Sequence, residues 1–290
     1  MKQSIGTRTQ QAELPFFEIR RSSAWRTLDL RELWKYRELV FFLIWRDIKV
    51  RYKQTVIGVA WAILQPAAMM IVFGLIFGRL AGLSSQETPY PLFTMSALLP
   101  WQLFSRAITE STNSLVSDQR LISRVYFPRI IVPTASVIAA LVDFLLGCVF
   151  LLLLIVGYGT PLRIEIFWAP VFVALMLITA LGVGFWLSAL NLEYRDVSYT
   201  LPFLTQFWFF VTPVVYPTSL IPEQWRIWYA LNPMSGVVDG FRWCFFGVGN
   251  GLTNTLPVSI AVALGLFVSG TIWFRRRERN FSDAIGSGGR

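Results

Sequence analysis

The sequence has no histidine and only two cysteines, and Lys, Arg, Asp and Glu together make up just 15% of its 290 residues. Without histidine there are no imidazole metal ligands and no Ser/His/Asp or Cys/His nucleophile arrangement. Cys148 and Cys244 stand far apart in apolar surroundings, as packing residues do, and neither redox state nor compartment follows from them. A soluble domain carries roughly 25% charged residues, so this chain has too little polar surface for a water-facing exterior. No G-x-x-x-x-G-K-[ST] run occurs, which excludes nucleotide binding by that cradle. Glu193, Arg195 and Asp196 cluster without a metal-ligand pattern, so no catalytic or metal site is expected. The absence of an internal repeat gives no support to an inverted-repeat secondary transporter. Met1 to Arg31 lacks an apolar core and does not read as a cleavable secretory signal.

What the chain does have is apolar length. Hydrophobic residues make up 54% of it and aromatics 16%, with a mean hydropathy of +0.53. Spanning a hydrocarbon core of about 30 Å takes about 20 mostly apolar residues. Val56–Leu80, Leu92–Leu115, Ile130–Val156, Ile166–Leu190, Tyr199–Tyr216 and Leu256–Phe274 are the candidate stretches. The second is weakened by Pro100, Arg106 and Glu110, and the fifth is short and flanked by prolines. The formal charge of +9 could suggest nucleic acid, but the basic residues flank apolar stretches, which points to membrane topology. Arg46, Lys49, Arg51, Lys53, Arg120, Arg124, Arg129, Arg195 and the arginines from Arg275 onward fall on one side. Only Arg79, Arg163, Arg226 and Arg242 fall on the other. By the positive-inside rule both ends are expected in the cytoplasm.

Between Arg31 and Lys53 charged residues recur at helical spacing, while Trp34, Phe41, Trp45, Ile48 and Tyr52 fall on another face. The longest apolar run there is too short to span. This predicts a helix lying in the membrane interface, basic face toward anionic headgroups; a soluble amphipathic helix packed on a partner is the alternative.

Three further features could carry function. In Leu115–Arg129, Arg120 and Arg124 sit one turn apart, opposed by Leu121, Ile122 and Val125. Such a loop could be a knob docking into a cytosolic engine or a plain solvated connector. From Tyr199 to Gly251, Pro202, Pro213, Pro217, Pro222 and Pro233 punctuate a segment dense in aromatic rings. Prolines this frequent break a helix, and non-helical backbone at membrane depth must be buried by protein or water. The expectation is a span that stops part-way because a wet conduit shelters it, then short helices at Pro222–Ala230 and Ser235–Phe246. The rings either face sliding sugars or form an interfacial belt. Finally, Arg106 and Glu110 can pair along one helix, whereas Asp143 needs a partner from another span.

A series of short runs goes further. It begins with Arg51-Tyr52-Lys53-Gln54-Thr55-Val56-Ile57-Gly58, Trp61, Leu64-Gln65-Pro66 and Leu98-Leu99-Pro100-Trp101. Asn113-Ser114-Leu115-Val116, Val125-Tyr126-Phe127-Pro128-Arg129 and Asn191-Leu192-Glu193-Tyr194-Arg195-Asp196-Val197 follow. Thr212-Pro213-Val214-Val215-Tyr216-Pro217, Leu231-Asn232-Pro233-Met234, Gly240-Phe241-Arg242-Trp243 and Phe274-Arg275-Arg276 complete it. In this order they resemble the permease subunits of polysaccharide-export ABC transporters, over about Leu33 to Ile285. The resemblance implies an all-α integral membrane protein with six transmembrane helices. An N-terminal amphipathic interface helix precedes them, and short re-entrant external gate helices lie between spans five and six. It implies a homodimer docked on two copies of a cytosolic ABC ATPase, with ATP and magnesium on that partner and no cofactor on this chain. The substrate it implies is a lipid-linked polysaccharide of O-antigen type, moved across the bacterial inner membrane, with capsule polymer, teichoic acid or another glycolipid as alternatives. A membrane-embedded glycosyltransferase is the rival from another class.

On that reading residues 1–30 are a cytosolic tail, 31–53 the interface helix, 54–274 the transmembrane domain and 275–290 a basic cytosolic tail. Residues 115–129 form the coupling loop and 217–251 the external gate. Leu115, Asp118, Arg120, Leu121, Arg124, Tyr126 and Phe127 would contact the ATPase. Phe203, Phe207, Trp208, Phe210, Tyr216, Trp225, Trp228 and Trp243 would line the channel or gate. Arg46, Lys49, Arg51 and Lys53 would hold the pyrophosphate linker or lipid headgroups.

Overall fold

The computed structural model describes residues 34–53, 58–80, 82, 88–248, 255–278 and 281. The expected tail 1–30, the start of the interface helix at 31–33, the motif residues 54–57, the end of the gate region at 249–251 and most of the C-terminal tail lie outside the described residues. Among the described residues every regular element is helical. Helix α1 is Arg37–Lys53, and α2, Ala60–Phe73, continues as a π-helix over Gly74–Leu80. Then come α3 (Tyr90–Ser117), the short α4 (Gln119–Arg124), α5 (Ile131–Ala139) and α6 (Leu141–Gly157). A 3-10 turn at Ile164–Trp168 leads into α7, Ala169–Glu193. The chain ends with α8 (Asp196–Val211), α9 (Glu223–Ala230), α10 (Pro233–Phe246) and α11 (Leu256–Arg277).

Among the described residues four helical stretches are long and apolar enough to cross a bilayer: Ala60–Leu80, Ile131–Gly157, Ile164–Glu193 and Leu256–Arg277. They coincide with the first, third, fourth and sixth stretches expected from the sequence. The other two differ for separate reasons. Helix α3 has 28 residues, about 42 Å at 1.5 Å per residue, but it is too polar to qualify by composition. Helix α8 has 16 residues, about 24 Å, and stops short of a full hydrocarbon core.

The polarity of α3 follows from its position at the centre of the fold. It packs against α2, α5, α6, α7, α8 and α10, and most of its side chains between Leu92 and Leu115 are buried. Protein rather than lipid surrounds it, so its hydroxyls need only local partners. Several find them on the preceding turn: Thr112 donates to the Ile108 carbonyl at 2.6 Å, Thr109 to Ser105 at 2.7 Å and Ser114 to Ser111 at 2.7 Å.

Helices α7 and α11 approach closely enough to need glycine on both sides. A Cβ on Gly182 would lie 2.6 Å from the backbone of Leu266 and Phe267, and one on Gly270 would lie 2.3 Å from the Gly182 carbonyl oxygen. One apolar core spreads from α3 to α6, α7 and α10. A second lies at the α1 end, where Leu43, Leu115, Ile122, Phe127, Ile131, Phe185 and Phe274 meet.

Candidate functional site

Charged side chains from three elements meet on the inner side of α1. Arg51 donates to Glu110 at 2.5 Å and to Asp143 at 2.7 Å, and also reaches the Ala139 carbonyl at 3.4 Å. Arg106 bonds the same Asp143 oxygen and lies 3.7 Å from Glu110, one turn along α3. The Tyr52 hydroxyl donates to the other Asp143 oxygen. Two guanidinium groups thus face two carboxylates and the cluster is neutral. Asp143, which its own span leaves without a partner, takes them from α3 and α1.

Above this cluster a cavity of about 540 Å³ opens between α2, α3, α6 and α8. Arg106, Glu110 and Asp143 form one end of it; Gln65, Gln102 and Gln206 line it together with Phe73, Phe209 and Phe210. The sequence reading did not single out the three glutamines as a group. The signal was present, since each is an amide inside an apolar stretch, but one sequence does not show that they share a space.

The expected headgroup residues divide. Lys49 and Lys53 are exposed, whereas Arg46 and Arg51 are held by carboxylates. Arg46 forms a two-pronged pair with Asp118 at 2.8 and 2.7 Å and also donates to Asp47 at 2.8 Å. Desolvation opposes its charge, but the hydrogen bonds to Asp118 and Asp47 outweigh that and raise the Arg46 pKa above its ordinary value. Phe41, Phe42 and Trp45 on the same helix, and Trp34 just before it, are exposed, while Leu43 is buried against α5 and its neighbours.

Among the expected coupling residues, Leu115 and Phe127 are buried and Leu121 is half-buried. Arg120, Arg124 and Tyr126 face outward, with Tyr126 90% exposed. Asp118 sits at the start of α4, so the Arg46 pair ties α1 directly to this loop. At the other end of the loop the Arg129 backbone N–H donates to Glu278 at 2.7 Å, beyond the last turn of α11. Glu193 likewise holds Arg277, whose guanidinium lies over the Trp273 ring.

The expected channel and gate rings also fall into groups. Phe203, Phe207 and Phe210 are exposed along one face of α8, and Trp225 and Trp228 are exposed on α9. Trp208 turns inward: its indole donates to Asn232 at 2.9 Å and its ring meets Phe104 edge-on. Trp243 packs against the core, and Tyr216 shares a hydroxyl contact with Tyr229.

Helix α8 ends at Val211, before the Tyr216 end of the expected stretch, and protein side chains bond the non-helical backbone that follows. Arg242 is 1% exposed and donates to the Val214 carbonyl at 2.7 Å and to the Tyr216 carbonyl at 3.3 Å. Its guanidinium lies 3.7 Å from the centre of the Phe93 ring and 3.8 Å from Asp239. Tyr90 donates to the Val215 carbonyl at 2.8 Å, and Asn232 bonds Thr212 at 2.9 Å while capping α10 through the Met234 N–H.

Long apolar helices around a central helix that carries paired charges, with a cavity lined by apolar, amide and charged side chains beside it, define a multi-pass membrane protein. The profile of the ABC-2 type transporter family matches residues 38–246. The chain belongs to that family. It is 30% identical over 259 residues to the O-antigen export system permease protein RfbA of Myxococcus xanthus, covering 88% of this chain and 98% of that protein. A protein of the same name from Klebsiella pneumoniae is 27% identical over 251 residues, 86% of this chain and 95% of that protein. The polysialic acid transport protein KpsM of Escherichia coli is 26% identical over 200 residues, 68% and 77% respectively.

Proposed function

We propose that this chain is the membrane subunit of an ATP-driven exporter that moves a lipid-linked polysaccharide of O-antigen type across the bacterial inner membrane. The observation that carries the reading is the match to an O-antigen export permease over 98% of its length. The glutamines and paired charges set among the cavity's otherwise largely apolar lining agree with a sugar-bearing cargo. In this reading α3 and α8 complete six spans. Burial of α3 in protein offsets its polarity, and the Arg242 clamp lets α8 end within the bilayer. Helices α9 and α10 are the external gate, and both ends of the chain are cytoplasmic.

Two copies of the chain form the channel, with Phe203, Phe207 and Phe210 on its wall. Two copies of a separate ATPase dock on α4 through Arg120, Arg124 and Tyr126. The Arg46–Asp118 pair passes their movement to α1. Lys49 and Lys53 remain open to a phosphate-bearing lipid. Capsule polymer is the second reading, favoured by the similarity to the polysialic acid transport protein.

Deletion of the gene tests the proposal. Polymer that accumulates on its lipid carrier inside the cell, beneath an empty surface, supports export. Absence of polymer altogether points to a biosynthetic enzyme and overturns it.

A further inference from the structure

The cavity beside α3 contains three primary amides without a hydrogen-bond partner among the described residues. Gln65, Gln102 and Gln206 come from three different helices, α2, α3 and α8, and all line the same space. Many other polar side chains at this depth bond a carbonyl, a carboxylate or another amide. Gln65 and Gln206 are exposed and Gln102 is half-buried; within a bilayer such amides call for a polar partner, which an acyl chain does not supply.

The chemistry of the lining selects the occupant. Each glutamine offers two N–H donors and a carbonyl acceptor, a set matched by ring hydroxyls, which both donate and accept. Arg106 closes one end, but its charge is already balanced by Glu110 and Asp143. The site therefore does not draw an anion. Phe210, 61% exposed, presents an aromatic ring at the wall, suited to the C–H face of a pyranose. A volume of about 540 Å³ has room for a sugar residue and part of its neighbours.

We infer that Gln65, Gln102 and Gln206 form a binding subsite for neutral sugar residues of the transported polymer. This rests on the export reading above and adds to it which residues recognise the cargo, and by what contacts. The subsite holds sugar through hydroxyl hydrogen bonds, so one ring can replace another as the chain advances.

The test uses the full chain with its ATPase partner in native membranes, with Cys148 and Cys244 replaced by Ala. Gln102→Cys is labelled with a charged thiol reagent, and Leu153→Cys on the exposed face of α6 is the lipid-facing control. The probe is the cell's own lipid-linked polymer, with its synthesis switched off or on. The inference expects rapid labelling of Gln102→Cys without polymer, severalfold slower labelling with polymer, and little labelling of the control in either state.

A second variant carries Gln65→Leu, Gln102→Leu and Gln206→Leu together. Removing amides from membrane helices does not oppose insertion, so its thermal stability should be kept while export falls about tenfold. Unchanged export by this variant overturns the subsite. So does Gln102→Cys labelling that polymer does not alter while export proceeds. In both cases the export reading stands. If the unaltered chain exports no saccharide at all, the export reading fails, and the subsite falls with it.

Discussion

By charge count alone Arg242 is one of the few basic loop or surface residues of the far side. Instead it is the largest of the fully buried side chains. Its environment explains why: the α8 break leaves the carbonyls of Val214 and Tyr216 without helical donors, and a guanidinium can serve both from one position. Replacing it with Met would remove those donors and leave Asp239 without its cation. The loss should be roughly 3–5 kcal/mol, as for other broken buried pairs. Arg242→Lys keeps the charge without the fork and should fall between. Thermal unfolding of the solubilised protein reads both, and an Arg242→Met protein that melts with the unaltered one would remove the clamp. Arg46 and Arg51 show a related limit of sequence reading. Both are expected to face a lipid headgroup or linker, yet they pair with Asp118, Glu110 and Asp143, 59 to 92 positions away. A single sequence records a charge's place on its own helix but not the opposite charge that another helix brings to it.

At the scale of elements the sequence was more informative, because a long apolar run has few ways to fold in a bilayer. The boundaries of α2 with its π-helical continuation, of α5 and α6 taken together, of α7 and of α11 lie close to the expected stretches, and α9 and α10 appear where the prolines placed short helices. What could not be read was which helix lies at the centre. Helix α3 looked like the weakest span because its polar residues were weighed against lipid rather than against six neighbouring elements. The closest packing, between α7 and α11, was equally hidden, since a glycine in an apolar run does not announce its contact. Gly182→Val or Gly270→Val must push two backbones apart and should cost at least about 1–3 kcal/mol. The same change at Gly74, where nothing lies within 4 Å of a Cβ, should leave the melting temperature nearly unaltered; equal effects at both sites would argue against the close α7–α11 approach. The loop around α4 makes a functional prediction. Arg124→Ala with Tyr126→Ala removes two exposed side chains, so the protein should insert and melt normally while losing co-purified ATPase and surface polymer. Full recovery of both would separate this loop from coupling.

For the whole molecule, the decisive feature is how little of α2 its own protomer covers. Within its most apolar window only 6% of residues are buried, against 33% for Ile131–Gly157 and Ile164–Glu193. Helix α8 shares this openness, with Phe203, Phe207 and Phe210 outward, and the glutamine cavity lies between the two helices. Lipid could cover apolar surface at no cost, but a lipid acyl chain gives the amides no partner. A second copy set against α2 and α8 would instead close the cavity into a shared polar path. Cysteines at Ile71 and Phe207, in a chain whose native cysteines are replaced, should then be joined between copies by a short bifunctional thiol reagent. The product would be a covalent dimer formed at native expression level and lost when the two cysteines are moved to Leu145 and Leu153 on the exposed face of α6. Joining at the α6 positions but not at Ile71 and Phe207 would turn the open face toward lipid. The channel would then have to lie within a single copy.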